Sequence, residues 1–239
     1  MRQSKNELEL SIVIPCLNEE KTVGSCVEQS LAALKKYKIR GEVVVCDNNS
    51  TDRSAAIAKR TGARVVVEKK PGYGNACIRG LKAARGKYLL KLDADGSYDP
   101  FELDKFLKHL RQGWEVVMGS RYKGRILPRA MPWSHQYIGN PILTMAANIF
   151  CKGGISDLCC GMKAFTAAAF RKMKLNTPGM EFGPETTIRA RQNGLSLKEV
   201  PISYHTDGRL RKSNLNQWRD GIRDFVFILR ESKMFNKYQ

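Results

Sequence analysis

Short apolar runs alternate with amphipathic segments over the first 120 residues of the chain. The apolar runs lie at 10–17, 42–47, 64–68, 88–92 and 114–118, and they predict five buried strands. The segments between them have apolar residues at helical spacing, and Gly62, Gly86 and Gly113 mark the ends of three of these predicted helices. Such an alternation predicts an α/β fold with a parallel sheet and helices on both faces.

The pattern is less regular in the second half of the chain. It predicts a basic loop at 121–134, a helix at 136–150, mixed strand and loop at 155–165, a helix at 185–193, a strand at 197–204 and a last helix at 216–232. The sequence contains no internal repeat, low-complexity stretch or clear interdomain linker. We therefore expect one domain over residues 1–239.

The predicted fourth strand ends in two acidic residues, Asp93 and Asp95, that are separated by one alanine. Asp99 and Pro100 follow as a helix start, with Asp99 as the N-cap and Glu102 at the spacing of a capping box. Carboxylates at the carboxyl end of a buried strand lie where α/β sheets bind ligands. Two hard oxygen donors at that edge suit Mg²⁺ or Mn²⁺ bridging to a diphosphate.

Two other metal sites fit the sequence less well. An EF-hand loop needs a preceding helix and a glycine at its sixth position, where this chain has a strand and Tyr98. Zinc ligation by Cys151, Cys159, Cys160 and His135 does not match the spacing of structural zinc sites. The seven cysteines include no Cys-x-x-Cys pair, so we expect most of them to be buried thiols in a reducing compartment.

Acidic residues also follow the first two predicted strands. Glu19 comes after strand one and Asp47 ends strand two, so we expect both at the same edge of the sheet as Asp93. Carboxylates in such a crevice accept hydrogen bonds from the N–H groups of a base and from ribose hydroxyls. The sequence therefore predicts a nucleotide site at this edge.

Gly72 and Gly74 precede the third predicted helix, but the third glycine of a dinucleotide fingerprint is absent. One interpretation is a flexible turn that caps the helix. The other is a backbone approach to phosphate at the helix N-terminus, with Arg79 one turn into the helix. The sequence leaves both open.

The net charge is the unusual feature of the composition. The chain has 41 Lys and Arg against 23 Asp and Glu, a formal charge of +18, which implies nucleic acid, an anionic membrane surface or phosphorylated substrates as partners. No nucleic-acid recognition motif is present, so we expect no nucleic acid. Apolar residues recur near helical spacing among arginines at 215–230, which fits either core packing or a helix on an anionic membrane.

Several motifs in order resemble glycosyltransferase family 2. They are Ile12-Val-Ile-Pro15 with Asn18-Glu19-Glu20, Asp47-Asn-Asn-Ser50-x-Asp52, Asp93-Ala-Asp95 and Gly119-Ser-Arg121-Tyr122. Two later blocks, Asp157-x-x-Cys-Gly161-Met-Lys163-Ala-Phe165 and Glu199-Val-Pro-Ile-Ser-Tyr204, are similar to those of the polyprenyl-phosphate (dolichyl-phosphate) mannosyl- or glucosyltransferase branch. The resemblance covers about residues 11–220.

The resemblance implies a Rossmann-like GT-A fold, with a nucleotide-sugar half at about 10–120, an acceptor-side half at about 121–210 and a basic amphipathic C-terminal helix at 211–239. It implies an inverting, metal-dependent transfer of glucose or mannose from a UDP- or GDP-sugar to a polyprenyl or dolichyl phosphate at the cytosolic face of a membrane. The sequence predicts no targeting signal or spanning segment, so we expect a cytoplasmic protein at the membrane periphery. It leaves homo-oligomerisation open.

The resemblance also assigns the donor site. Nucleotide binding would fall to Pro15, Leu17, Glu19, Asp47, Asn48, Arg79, Asp93 and Ala94. Asp95 would bind Mg²⁺ or Mn²⁺ on the diphosphate together with Asp93, and Ser97 stands where many relatives carry a further ligand. These residues would make up the donor half of the site.

Arg121 would grip the acceptor or donor phosphate, with Arg125 or Arg129 assisting, because a guanidinium group matches phosphate bidentately. Glu185 lies where many inverting relatives with hydroxyl acceptors have a catalytic carboxylate. It is either such a base or a charge that favours the dipole of its helix. A phosphate acceptor is already ionised near neutral pH and needs no strong base, so a saccharide or soluble acceptor, with Glu185 as the base, is the alternative function.

Overall fold

The computed structural model describes residues 7–152, 154–208 and 217–237. Its strands are β1 (Leu10–Cys16), β2 (Gly41–Asp47), β3 (Arg64–Val67), β4 (Tyr88–Lys91), β5 (Val116–Ile126), β6 (Lys163–Thr166) and β7 (Leu197–Tyr204). Its α-helices are α1 (Val23–Lys36), α2 (Ser54–Arg60), α3 (Tyr73–Ala83), α4 (Leu103–Arg111), α5 (Asn140–Cys151), α6 (Ala167–Met173), α7 (Phe182–Gln192) and α8 (Gln217–Lys237).

Within the described residues, the seven strands form one sheet in the order β3-β2-β1-β4-β6-β5-β7. β6 runs antiparallel to its neighbours β4 and β5, and the other four pairs are parallel. The predicted mostly parallel sheet is therefore confirmed. The predicted division into a donor half and an acceptor half falls at residue 120, which lies inside β5. That division stays a prediction.

The core lies on both faces of this sheet, because successive residues of a strand point to opposite sides. In β1, Ile12 and Ile14 pack with α1, α2 and α4 on one face. Val13 belongs to the second core, with α3 and the helices α5 to α8. Helices thus cover both faces, as predicted, and the polar groups at the strand ends are left at the edge.

The structure corrects the prediction after residue 118. The strand predicted at 114–118 is β5, which continues to Ile126, so the first part of the predicted basic loop at 121–134 is strand. Gly124 permits the pairing with β7, because a Cβ atom there would lie 2.0 Å from the carbonyl oxygen of Ile202. Lys123 and Arg125 of this extension are exposed and charged, and Gly124 has no side chain, which is why apolar periodicity missed it.

The start of the helix after β4 confirms one prediction and corrects another. The Asp99 carboxylate accepts a hydrogen bond from the Phe101 N–H at 2.8 Å, so Asp99 caps the 3₁₀ turn Pro100–Glu102 that leads into α4. Glu102 does not complete a capping box. Its carboxylate instead accepts hydrogen bonds from the Lys105 ammonium at 2.7 Å and from the Ser203 N–H at 3.0 Å. Glu102 thus bonds Ser203, which is distant in sequence, instead of the backbone N–H of the N-cap residue that a capping box requires.

The remaining boundaries differ by a few residues. The helix predicted at 136–150 begins as the π-helical turn His135–Gly139 and continues as α5. α7 begins three residues before the predicted start at 185. In the C-terminal region, Arg209, Arg211, Lys212, Leu215 and the side chain of Trp218 lie outside the described residues. None of the described helices has both the length and the apolar composition that crossing a bilayer requires.

Candidate active site

A crevice of about 620 Å³ opens where β1, β2 and β4 end. Its other walls come from residues 130–143, 159–163 and 179–184 and from the first turns of α8. Eight predicted site residues line it, namely Pro15, Leu17, Glu19, Asn48, Asp93, Ala94, Asp95 and Arg121. Six do not, namely Asp47, Arg79, Ser97, Arg125, Arg129 and Glu185. The crevice lies at the edge of the sheet that the strand-end acids predicted.

A buried lysine and a tyrosine hold Asp93. The Lys91 ammonium donates to Asp93 Oδ1 at 2.6 Å, and the Tyr73 hydroxyl donates to the same oxygen at 2.9 Å. Lys91 also donates to the Tyr73 hydroxyl. Burial alone would lower the pKa of Lys91, but the Asp93 carboxylate outweighs it and raises that pKa, so the lysine stays cationic. These contacts fix one oxygen of Asp93.

The other oxygen of Asp93 lies against the turn that contains Gly161. A Cβ atom at position 161 would lie 2.2 Å from Asp93 Oδ2 and 2.9 Å from the Tyr98 hydroxyl. The Gly161 N–H donates to that hydroxyl at 2.6 Å. Only a glycine leaves room for both contacts, so this part of the later motif encloses the aspartate.

Asp95 is held by its own turn. Its Oδ1 accepts hydrogen bonds from the Ser97 N–H at 3.0 Å and from the Ser97 hydroxyl at 2.6 Å. This geometry is a local Asx turn, in which a short polar side chain bonds the backbone two residues on. The prediction of Ser97 as a metal ligand is corrected: its hydroxyl orients Asp95 and does not line the crevice.

The acid at the end of β2 has an unsatisfied oxygen. Asp47 is buried, and its Oδ1 has no hydrogen-bonding partner in the described structure, while Oδ2 accepts from the Ser50 N–H at 3.3 Å. Asp47 pairs in register with Cys16, which lines the crevice. Asn48 has a structural task, since its amide donates to the carbonyls of Glu68 and Lys70 and accepts from the Gly72 N–H.

The structure corrects the predicted use of Arg121. Its guanidinium donates two hydrogen bonds of 2.8 Å to the buried Asp157 carboxylate, which also accepts the Arg121 backbone N–H at 2.9 Å. The guanidinium lies 5.1 Å from the centre of the Tyr204 ring. The bidentate fork predicted for a phosphate therefore holds a carboxylate. Arg121 lines the crevice as a fixed positive charge.

The other predicted arginines lie away from the crevice. Arg79, Arg125 and Arg129 are exposed and do not line it. Arg125 points outward from the extension of β5, and Arg129 follows that strand. Their predicted phosphate contacts find no support in this arrangement.

The start of α3 faces protein rather than a ligand. The N–H groups of Gly74 and Asn75 donate to the Pro178 carbonyl at 2.9 and 3.2 Å. A Cβ atom at Gly74 would lie 2.1 Å from the Thr177 carbonyl oxygen, and one at Gly72 would lie 2.3 Å from that of Pro178. The glycines thus allow the segment 176–179 to pack on the helix start, and the phosphate interpretation is wrong.

Glu185 holds the same segment from the other side. Its carboxylate accepts hydrogen bonds from the Asn176 N–H at 3.0 Å, the Thr177 N–H at 3.1 Å and the Thr177 hydroxyl at 2.6 Å. The side chain has no exposed surface and does not line the crevice. Its predicted role as a catalytic base is corrected, because a carboxylate buried in this way cannot reach an acceptor hydroxyl.

Sequence reasoning missed the second buried lysine of the site. Lys163 lines the crevice opposite Lys91 in the register of β4 and β6, and it donates to the Gly183 carbonyl and the Thr186 hydroxyl at 2.7 and 2.8 Å. Burial lowers its pKa to about 8. A lysine inside an otherwise apolar strand, such as the one within 87–92, indicates a buried charge, and this signal could have identified the lysines of the site.

The donor chemistry of the crevice is oxygen-based. Within the described part of the chain, no group of three or more His, Cys, Asp or Glu side chains could hold a metal ion. Burial raises the pKa of Cys159 and Cys160 to about 12, so neither supplies a thiolate at neutral pH. Among the carboxylates that line the crevice, Asp93 and Asp95 lie next to each other just after β4.

Comparison with curated proteins finds similar sequences among hexosyltransferases. The low-salt glycan biosynthesis hexosyltransferase Agl6 of Haloferax volcanii is 42% identical over 221 residues, which are 92% of this chain and 53% of the relative. The chain thus spans about half the length of that protein. The dolichyl-phosphate hexose transferase of the same organism is 30% identical over 197 residues, 82% of each chain.

Solved structures agree on the fold. Glucosyl-3-phosphoglycerate synthase from Mycobacterium tuberculosis, in complex with Mn²⁺, UDP and glucosyl-3-phosphoglycerate, superposes with a TM-score of 0.72 at 22% identity. The match covers 94% of this chain and 80% of the other. The protein has the GT-A fold. The model of the family described as glycosyl transferase family 2 matches residues 11–174, and the chain belongs to that family.

Proposed function

We propose that the protein transfers a hexose, glucose or mannose, from a UDP- or GDP-sugar to the phosphate of a polyprenyl or dolichyl lipid. The observation that carries the proposal is the pair Asp93 and Asp95 at the crevice, each held by its own hydrogen bonds. Two similar proteins are named a hexosyltransferase and a dolichyl-phosphate hexose transferase, which supports the substrate class.

The donor set of the crevice fits Mg²⁺ or Mn²⁺. Carboxylate oxygens are the hard ligands that these ions prefer, and Asp93 and Asp95 would hold the ion. Two carboxylates alone do not complete the shell of such an ion, so the diphosphate of the donor would supply further oxygens. When bound, the ion neutralises the charge that develops on the leaving diphosphate. Similar solved structures contain UDP with Mn²⁺ or with Mg²⁺.

The unsatisfied oxygen of Asp47 supports a nucleotide at the β1–β2 end of the crevice. A buried carboxylate oxygen without a donor costs about 1–3 kcal/mol. Asp47 itself does not line the crevice, but its neighbours Cys16 and Asn48 do. An N–H group of a base or a ribose hydroxyl that enters between these two residues would supply that donor. Pro15, Leu17 and Glu19 line the adjacent wall of the crevice.

Buried cations support an anionic reaction centre. Lys91, Lys163 and Arg121 all line the crevice, and each is held by hydrogen bonds to protein groups. Fixed positive charges in a site of low dielectric attract phosphate more strongly than mobile surface lysines do. They would hold the donor diphosphate and the acceptor phosphate close together.

The proposed reaction is an in-line displacement. An oxygen of the acceptor phosphate forms a bond to the anomeric carbon while the bond to the nucleotide diphosphate breaks, and the diphosphate leaves with the electron pair. The configuration at that carbon inverts. The acceptor is already ionised, so no base is needed, and the burial of Glu185 argues against the alternative with a hydroxyl acceptor.

An apolar surface beside the crevice supports a lipid acceptor. We call it the apolar face; it consists of the exposed side chains of Trp133, Tyr137, Ile138, Ile142, Met145, Ile149, Phe150, Ile222 and Val226. The helices α5 and α8, which carry most of it, pack against each other. Scattered single apolar residues are normal on a protein surface, but a contiguous set of this size marks an interaction site.

The apolar face and the crevice share one segment of chain. Met131, His135 and Asn140 line the crevice, whereas Trp133, Tyr137 and Ile142 of the same segment are exposed. An acceptor whose phosphate enters the crevice would thus have its hydrocarbon beside this face. Trp and Tyr are the residues that favour the boundary between lipid and water, and α8 adds the exposed Arg219 and Arg230.

The test is a transfer assay with purified protein, polyprenyl phosphate in detergent, Mn²⁺ and either UDP-glucose or GDP-mannose. We expect sugar in the lipid fraction with one donor class, and we expect it to be lost with a chelator and in Asp95→Ala. Asp104→Ala, which changes an exposed acid on α4, is the matched control. No transfer from either donor would refute the proposal.

Ligand binding provides a second measurement. A nucleotide that binds only the native protein, at about 100 times its Kd, adds about 2.7 kcal/mol to the free energy of unfolding. We therefore expect UDP or GDP, with Mn²⁺, to raise the melting temperature of the wild type and of Asp104→Ala but not of Asp95→Ala. If no nucleotide changed the melting temperature of the wild type, the proposed donor site would be refuted.

A further inference from the structure

A group of acidic side chains lies at the α8 side of the crevice, in a protein whose net charge is +18. Asp220 and Asp224 of α8 are buried and line the crevice. Glu181, the residue before α7, is joined to Asp220 through Arg223 and lies near enough to Asp224 to act on its charge. We call these three residues the acidic wall. The charge of this wall is negative, whereas Lys91 and Lys163, which also line the crevice, are positive.

One arginine bridges the wall without neutralising it. Arg223 Nε lies 2.6 Å from Glu181 Oε1, and its Nη2 lies 3.3 Å from Asp220 Oδ1. Arg219 lies 3.9 Å from Asp220. Within the described structure, Asp224 Oδ1 and Glu181 Oε2 are buried and have no hydrogen-bonding partner. Asp224 is 8% exposed, so the unsatisfied oxygen belongs to a buried side chain that faces the crevice.

The chemistry of the wall selects among possible ligands. Carboxylates repel phosphate groups, so the charged part of a nucleotide sugar is excluded from this side and stays at Lys91, Lys163 and Arg121. A metal ion is disfavoured, because the Arg223 guanidinium already lies between the carboxylates of Glu181 and Asp220. Sugar hydroxyls are neutral donors that carboxylate oxygens accept readily, in charge-assisted hydrogen bonds.

We propose that Asp220 and Asp224 bind hydroxyl groups of the hexose of the donor and thereby select which hexose is transferred. This inference rests on the proposed function, since it places the uncharged part of the same donor. Asp224 accepts a hydroxyl at its unsatisfied oxygen. Asp220, oriented by Arg223, accepts a neighbouring hydroxyl, and Glu181 keeps that arginine in place.

The test compares nucleotides with nucleotide sugars by isothermal titration calorimetry in the presence of Mn²⁺ at pH 8, because burial raises the pKa of Asp224 to about 7 and the side chain is mostly ionised above it. The probes are UDP, UDP-glucose and UDP-galactose, and GDP, GDP-mannose and GDP-glucose. The variants are Asp220→Asn and Asp224→Asn, each of which keeps the size of the side chain. Glu231→Gln is the matched control, because Glu231 is a buried acid on the same helix that does not line the crevice.

We expect both Asn variants to bind the nucleoside diphosphate with wild-type affinity and to bind the nucleotide sugar about tenfold more weakly, the usual effect of one lost hydrogen bond to a charged group. The preference between the two epimers of the bound class should fall by a similar factor. Glu231→Gln should behave as wild type in every titration.

Two results would overturn the inference, and they are distinguishable. Wild-type affinity for both nucleotide and nucleotide sugar in Asp220→Asn and Asp224→Asn would refute the sugar site and leave the proposed function intact. Failure of the wild type to bind any of the six probes would refute the proposed function, and the sugar site with it. The second variant keeps the test valid if one variant does not fold.

Discussion

At the scale of single residues, the two acids of Asp93-Ala-Asp95 are held in different ways. Asp93 depends on Lys91 and Tyr73, which come from β4 and α3, whereas Asp95 depends on Ser97 in its own turn. A motif of three residues therefore has one member oriented by tertiary contacts and one oriented locally. The lysine matters most here, because its buried ammonium places a positive charge 2.6 Å from Asp93 Oδ1.

Glu185→Gln tests the assignment of that residue to structure. Gln keeps one acceptor oxygen but loses the charge that strengthens the bonds to Asn176 and Thr177, so we expect the free energy of unfolding to fall by about 1–3 kcal/mol. Urea denaturation measures this, and kcat of the folded variant should stay near wild type. Glu28→Gln, an exposed change on α1, is the control. Loss of transfer at unchanged stability would restore Glu185 as a base.

Asp224 predicts a pH dependence of stability. Burial, followed by the charges of Glu181 and Asp220, raises its pKa from 3.8 to about 7. The native state therefore favours the protonated form, and the stability that this provides is complete below pH 4 and is lost as the pH rises through about 7. A rise of this size corresponds to roughly 4 kcal/mol.

Asp224→Asn removes this titration. Between pH 4 and pH 8, we expect the free energy of unfolding of the variant to increase relative to wild type by up to roughly 4 kcal/mol, as measured by urea denaturation at each pH. Asp104→Asn, an exposed change, should follow the wild type throughout. Parallel stability curves for Asp224→Asn and the wild type would show that the side chain is already ionised at low pH.

At the scale of elements, α5 and α8 combine two surfaces with different tasks. In α5 the exposed residues Ile142, Met145 and Ile149 are spaced by three and four positions, so they share one face of the helix, while Leu143, Ala146 and Ala147 pack in the core. α8 likewise exposes Ile222 and Val226 and buries Phe227 and Ile228. Both helices therefore have one apolar side in the core and a second apolar side at the surface. A helix that faces water normally has only the first.

The apolar face predicts membrane binding that depends on its side chains. Burying an Ile side chain is worth about 1.5–3 kcal/mol, so the double variant with Ile142→Asn and Ile149→Asn should sediment with anionic vesicles at least tenfold less than wild type. Transfer to a water-soluble, short-chain acceptor should be unchanged. Val67→Asn, which alters an exposed apolar residue on β3, is the control.

Two outcomes of this experiment would contradict a membrane surface. Equal sedimentation of wild type and double variant would exclude the face from lipid binding. A change from dimer to monomer in analytical ultracentrifugation, without a change in sedimentation with vesicles, would assign the face to contacts between two copies of the chain. A membrane surface requires the loss of vesicle binding at an unchanged oligomeric state.

At the scale of the whole molecule, opposite charges are sorted along one crevice. The net charge of +18 is spread over the chain, but among the described residues the lysines that line the crevice are the buried Lys91 and Lys163, which β4 and β6 place opposite each other. The acidic wall comes from α7 and α8. The crevice therefore has a cationic floor and an acidic side, which suits a ligand with one charged and one neutral part.

The sequence by itself determined the alternation of strands and helices and the edge of the sheet where the site lies. Both depend on local sequence patterns. Apolar periodicity marks β1 to β4, and the strand 197–204 was predicted with its observed boundaries. The acids Glu19, Asp47 and Asp93 lie at or just after strand ends. Parallel strands place such ends at the same edge of the sheet, so the edge follows from the pattern alone, whereas the proximity of the three acids requires that β2, β1 and β4 be neighbours.

Only the tertiary structure decided which charged groups are engaged with one another. Arg121 meets Asp157 across 36 positions of sequence, Glu102 meets Ser203 across 101, and neither spacing has a local signal. For this reason the bidentate fork of Arg121 holds a carboxylate instead of the predicted phosphate, and Glu102 forms no capping box. A charged side chain that folding buries takes the partner that packing brings to it, because leaving it without one costs more than losing its local contact.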